Sequence, residues 1–242
     1  MNPFSRWTKF CALNTVETMK LNGFVISLCV VLVSAFQVLY GQENVSADKQ
    51  FSEWRTKAEK GDAEAQFTVG YFYAVGQGVT KDEIEAVKWY RKAADQNLAG
   101  AQFNLATCYE KGQGVAKDMV EAVRWYRKAA DQNVAEAQYN LGQCYLHGEG
   151  VTSNNLEAVK WYRKAAEQNC AAAQYSLGRC YLRSLGVAQD GAEGYKWCLL
   201  SSVQGNEIAK NAVTKLDAVM SPEQIAEGKR RANDWLKKHS KP

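Results

Sequence analysis

Apolar residues recur at i, i+4 and i+8 in four stretches of this chain: Ala65, Val69, Tyr73; Ala101, Leu105, Tyr109; Ala137, Leu141, Tyr145; and Ala173, Leu177, Tyr181. That spacing puts them on one stripe of an α-helix. A second stripe comes after each of the first. Its opening copy is Ala86, Trp89, Tyr90 and Ala93, with Lys88, Arg91 and Lys92 on the polar side. The pattern predicts pairs of amphipathic helices. The pairs return at one step. Ala65-Gln66, Ala101-Gln102, Ala137-Gln138 and Ala173-Gln174 are 36 residues apart (101 − 65), as are Trp89, Trp125, Trp161 and Trp197. A fixed period in this range marks a solenoid, in which each unit buries its apolar face only against its neighbours. The chain divides accordingly. Residues 1–41 form a leader, 42–62 a linker and half-repeat helix, and 63–98, 99–134, 135–170 and 171–206 four repeats, with 207–242 as terminal capping helices.

Punctuation between the stripes agrees. The first helix of a pair is expected to end at Gly76-Gln77-Gly78, Gly112-Gln113-Gly114 and Gly148-Glu149-Gly150, where glycine takes the left-handed backbone that stops a helix. A phosphate-cradling loop is excluded, because no strand precedes and no lysine-serine pair succeeds it. The second helix opens at Asp82, Asp118, Asn154 and Asp190. Glutamate stands three residues on, at 85, 121, 157 and 193, a capping-box pattern in which each glutamate reaches back. The place at a helix start makes these acids caps rather than catalytic carboxylates. Asn97, Asn133 and Asn169, with Gly61 and Gly205, end the second helices. Gly70, Gly142 and Gly178 mark a close helix crossing, and Ala106 in the same slot shows that any small residue serves. The fourth unit departs. Ser184-Leu185-Gly186 replaces the glycine joint and Cys198 replaces the tyrosine, as befits the end of a stack. Beyond it Ile208, Ala212, Val213, Leu216 and Val219 predict one helix. Ser221-Pro222-Glu223-Gln224 opens another, striped by Ile225, Ala232, Trp235 and Leu236. Phe51 and Trp54 belong to a lone second helix at the other end.

Together, Ala-x-x-x-Leu-Gly-x-x-Tyr, Gly-x-Gly-Val and Ala-x-x-Trp-Tyr-x-Lys-Ala-Ala resemble the Sel-one-like repeat, a relative of the tetratricopeptide repeat. The resemblance runs from Phe51 to about Asn206. It implies an all-α fold, a right-handed superhelical solenoid of antiparallel helix pairs. It also implies a non-catalytic adaptor or scaffold. Some cysteine-rich bacterial relatives pair cysteines within each unit; here those columns hold alanine, so the resemblance does not extend to that subtype.

Composition changes the picture little. The chain has 242 residues, 46% hydrophobic, with only 3 prolines, which argues against disorder. A formal charge of +4 favours no nucleic-acid partner. Lys20 precedes an uncharged run from Phe24 to Val33, the size of a secretory h-region, and small residues at Ala35 or Gly41 suit cleavage. Cleavage leaves an extracytoplasmic protein, secreted or periplasmic. Retention leaves a membrane anchor, since 24–40 approaches the length of a span. Seven cysteines include Cys108, Cys144 and Cys180 at one repeat position, read as small buried hydrophobes. Cys180 and Cys198 are near enough in the repeat for a pairing that sequence leaves open, as it does for Cys170.

Function should sit on the first helices, the concave wall of such a solenoid. Opposite the buried stripe, Thr68, Asn104, Asn140 and Ser176 form a nearly uniform polar column, suited to hydrogen bonding a peptide backbone. Two variable columns, Tyr71, Thr107, Gln143, Arg179 and Val75, Lys111, His147, Arg183, are suited to specificity. Phe67, Phe103, Tyr139 and Tyr175 edge this face and read as packing between repeats rather than a ligand shelf. The expected partner is a protein or peptide, with a membrane-tethered regulator of an envelope enzyme or a host-directed effector as alternatives. No cofactor, metal cluster or catalytic constellation is expected; His147 and His239 are the only histidines.

Overall fold

The computed structural model describes residues 46–239, and the leader reading falls outside them. The chain divides into two compact units, Met1–Gln50 and Phe51–Pro242. Of the first, residues 46–50 are helical. The second is an all-α solenoid. Its helix α1 spans 51–59. Four pairs come next: α2 (Ala63–Val75) with α3 (Glu83–Asp95), α4 (Ala99–Lys111) with α5 (Met119–Asp131), α6 (Ala135–His147) with α7 (Asn155–Glu167), and α8 (Ala171–Arg183) with α9 (Gly191–Val203). Then come α10 (Glu207–Val219) and α11 (Pro222–His239). Each helix of the pairs packs on its chain neighbours, while α11 turns back onto α9. Among the described residues no helix is long and apolar enough to cross a membrane.

The stripes are the core. Ala101, Leu105, Ala137, Leu141, Ala173 and Leu177 are fully buried, and Trp125, Tyr126, Trp161 and Tyr162 are buried against them. Lys92, Lys128 and Lys164 lie 3.9–4.1 Å over the tryptophan rings of their own helices, so these cations still cover apolar surface. The crossing glycines are required by contact. A Cβ on Gly70 would meet the Tyr90 ring at 2.7 Å, and one on Gly142 the Tyr162 ring at 2.6 Å.

The joints are left-handed as expected, with φ of 77°, 69° and 74° at Gly76, Gly112 and Gly148; Ser184 takes the same conformation at 56°. Asn97, Asn133 and Asn169 have φ of 65–68°. At the three later joints the second glycine does more than turn. A Cβ on Gly114, Gly150 or Gly186 would fall 2.0–2.2 Å from the carbonyl oxygen of Glu83, Met119 or Asn155. Each of these three joints therefore presses on the start of the preceding repeat's second helix.

Two expectations need correcting. Asp82 and Asp118 do cap two amides each, and Asn154 and Asp190 cap Glu157 and Glu193. The glutamates do not reach back, because the cap amides are already used. The backbone amides of Asp82, Asp118, Asn154 and Asp190 donate to the carbonyls of Tyr73, Tyr109, Tyr145 and Tyr181. The glutamates pair instead with Lys88, Arg124, Lys160 and Lys196. Ser221 and Gln224, at the start of α11, do close a reciprocal box (3.4 and 3.3 Å). The second correction is the α10 stripe. Ile208 and Val219 are exposed and Ala209 is the buried residue, because α10 keeps the register of the first helices and α11 packs elsewhere.

One device was not anticipated. Gln66, Gln102, Gln138 and Gln174 are buried. Each donates to a carbonyl at the end of the previous second helix (Ala58, Ala94, Ala130, Ala166; 3.1–3.3 Å). Each accepts from Gln96, Gln132, Gln168 or Gln204 at 2.7–2.8 Å. The ladder fastens every repeat to the one before it.

Candidate functional site

The first helices α2, α4, α6 and α8 present the predicted columns in register. Tyr71, Lys111, His147 and Arg183 are exposed, with Val75 beside them. Thr107, Gln143 and Arg179 are half-buried, as are Thr68, Asn104 and Asn140. Ser176 differs: it is buried, and its hydroxyl serves that of Tyr139. That removes it from the accessible surface. Thr68 bonds the Glu64 carbonyl of its own helix at 2.8 Å.

The rest of the face is organised by tyrosines from the second helices. The Tyr126 hydroxyl donates to Glu110 Oε2 at 2.6 Å, lies 3.2 Å from Thr107 Oγ1, and is reached by the Asn140 amide. The Tyr162 hydroxyl donates to Gln143 Oε1, while Gln143 Nε2 donates to Tyr139 at 3.0 Å. The Asn104 amide serves Tyr90 in the same way. Burial pushes the Tyr90 phenol up to about 12, Asn104 opposing the rise. Burial likewise raises Tyr126 and Tyr162, so all three stay protonated, and Tyr126 and Tyr162 act as donors. The polar column is thus braced from beneath, and each asparagine amide keeps hydrogen-bonding capacity for a ligand. Phe67, Phe103 and Tyr139 pack on the tyrosines of their own repeats, with ring centroids 5.8–6.0 Å apart, rather than between repeats as expected.

Sequence reasoning treated Tyr90, Tyr126 and Tyr162 as core alone and missed their hydroxyls and Glu110. The signal was available: a recurring tyrosine, rather than phenylalanine, needs a partner for its oxygen. It also stopped the columns at the fourth repeat. Lys215 of α10 stands one period beyond Arg179 and extends the variable column. The cysteines of the described residues are free thiols: Cys144, Cys180 and Cys198 are buried, Cys108 and Cys170 half-buried. Burial raises Cys144 and Cys198 to about 12, which suits packing rather than nucleophilic work.

A family model described as Sel1 repeat matches residues 63–98, 99–134, 135–170 and 171–206. A Sel1 repeat protein of Oxalobacter formigenes is 37% identical, with a TM-score of 0.68 and 82% of each chain covered. A protective antigen of uropathogenic Escherichia coli strains, which displays an SLR fold, is 39% identical with a TM-score of 0.66. The match covers 67% of this chain and 35% of the antigen, so the chain spans about a third of that protein's length. No curated protein matches the chain.

Proposed function

Because the chain belongs to the Sel1 repeat family, whose members are generally protein-interaction scaffolds, we propose that it is a non-catalytic adaptor holding a protein or peptide on its first-helix face. One observation carries the reading. A repeated framework of buried stripes, tyrosine braces and glutamine ladder supports side chains that change at every repeat: Val75, Lys111, His147 and Arg183 in one band, Tyr71, Thr107, Gln143 and Arg179 beside it. A constant scaffold under a variable, accessible surface is what selective recognition requires, and rigid presentation limits the ordering cost of binding. In this reading Asn104 and Asn140, whose amides meet the hydroxyls of Tyr90 and Tyr126, hydrogen-bond an extended backbone. The apolar run 24–33 favours an extracytoplasmic location, with the leader removed in a free binder and retained in a tethered one.

The test uses the full-length chain as bait in envelope and secreted fractions, against a Tyr71→Ala, Lys111→Ala, His147→Ala variant. These side chains are exposed, so the melting temperature should hold while a specific partner is lost. Equal recovery of that partner by the variant would remove the function from this face.

A further inference from the structure

The fourth repeat breaks the pattern at several buried positions, and one of these breaks lies beneath a groove. In repeats one to three a second-helix tyrosine fills the space beneath the first-helix face: Tyr90 against Phe67, Tyr126 against Phe103, Tyr162 against Tyr139. Cys198 holds that position in α9 and is fully buried, a far shorter side chain than the ring it replaces. Above it, between α8 and α10, lies a groove of about 480 Å³ walled by Leu182, Ile208, Ala212 and Leu216. Its polar rim carries Arg179, Arg183 and Lys215 and no carboxylate. α8 contains no Asp or Glu at all. Among the described residues none of the three cations joins an ion pair, whereas Arg230 and Arg231 of α11 each hold two or more carboxylates.

Three cations without a carboxylate around one apolar slot are complementary to carboxylates flanking an apolar side chain. We infer that the α8–α10 groove takes an acidic peptide segment, its carboxylates on Arg179, Arg183 and Lys215 and one apolar side chain in the slot over Cys198. The inference rests on the adaptor reading and narrows it to one end of the face and one class of ligand. The slot explains why the tyrosine is absent here: a ring at 198 would occupy the volume that the ligand's side chain needs.

The experiment titrates the full-length chain into a fluorescein-labelled peptide of alternating Asp and Leu, with Asn–Leu and Asp–Ser peptides as controls. The Asp–Leu peptide should bind at least about tenfold tighter than either control, and more weakly as salt rises. Arg179→Gln with Arg183→Gln should weaken it about tenfold. Cys198→Tyr restores the residue of the other repeats and should block the slot with the charges intact. Ile208→Glu, at an exposed position that folding tolerates, should do the same should the tyrosine variant melt early. Binding of Asn–Leu as tightly as Asp–Leu would overturn the inference, as would full affinity in the arginine pair or in Ile208→Glu. Displacement by inorganic polyphosphate as effectively as by the Asp–Leu peptide would reduce the groove to a polyanion patch and overturn it too. The Tyr71, Lys111, His147 variant separates the two readings. It should keep Asp–Leu affinity within about twofold, since it removes no rim cation. Partner loss in that variant, with no Asp–Leu binding by the parent, sinks the groove and leaves the adaptor standing.

Discussion

Two glycines separate the cost of backbone conformation from the cost of contact. Gly61 and Gly150 have φ of 95° and 67°. A Cβ on Gly61 would meet nothing within 4 Å, while one on Gly150 would fall 2.1 Å from the Met119 carbonyl oxygen. Gly61→Ala should therefore cost only the left-handed strain, about 1 kcal/mol. Gly150→Ala adds a backbone clash that no rotamer relieves and should cost about 3 kcal/mol or more. Urea midpoints of the two variants check this, and equal losses would refute the contact. Buried phenols and thiols give a second residue-level expectation. Burial raises Tyr90 from 10.0 to about 12 and Cys144 and Cys198 from 9.0 to about 12. The native chain keeps protons there that the unfolded chain releases, so their contribution is complete below the unfolded values. It declines as pH rises from about 9 towards 12. Melting temperatures taken across that window should fall, and a flat profile would contradict the burial.

Element ends were the most legible level, and also where the error was most instructive. The spacing of Asp82, Asp118, Asn154 and Asp190 from their glutamates located four helix starts correctly. It misplaced the glutamates, because the cap amides' partners are carbonyls of the preceding helix, nine residues back, which no local pattern displays. Asp118→Ala should lose two cap bonds and about 1 kcal/mol. Glu121→Ala should cost under about 0.5 kcal/mol, as an exposed pair does. A larger loss for Glu121→Ala would revive the box. The glutamine ladder is the stronger element-level tie. Gln138 bonds Ala130, Asn133 and Gln168 across two repeats. Gln138→Leu leaves buried polar groups without partners and should lower stability by about 2 kcal/mol. Chemical denaturation measures it; an unchanged midpoint would make the ladder ornamental.

For the whole molecule the decisive contacts are at the C-terminal end. A solenoid's last unit exposes a face that its neighbours elsewhere would bury. Here α11 covers it by packing on α9. The Trp235 ring meets Trp197 edge-on at 6.0 Å and its indole donates to Glu167 at 3.0 Å. Arg231 bridges Asp190, Glu193 and Glu227. Trp235→Ala should cost about 4 kcal/mol and release α11 to proteolysis ahead of the repeats. Cleavage spread evenly along the chain would show that α11 is no cap.

Residue order alone carried everything that one repeat decides locally: the 36-residue period, the helix pairs, their caps and left-handed ends, the close crossing at Gly70, Gly142 and Gly178, and family membership. These arise from interactions within a few residues or from a pattern repeated in register. Packing between repeats set the rest. It made the bonds from the buried glutamines to the preceding repeat's last carbonyls, the tyrosine hydroxyls beneath Asn104 and Asn140, and the burial of Ser176. It also turned α11 onto α9 and so left α10 with Ile208 exposed beside the slot over Cys198. A hydrophobic stripe states that a face is buried. Which neighbour buries it, and what gap a shorter side chain leaves, depends on atoms brought together only when separate repeats pack.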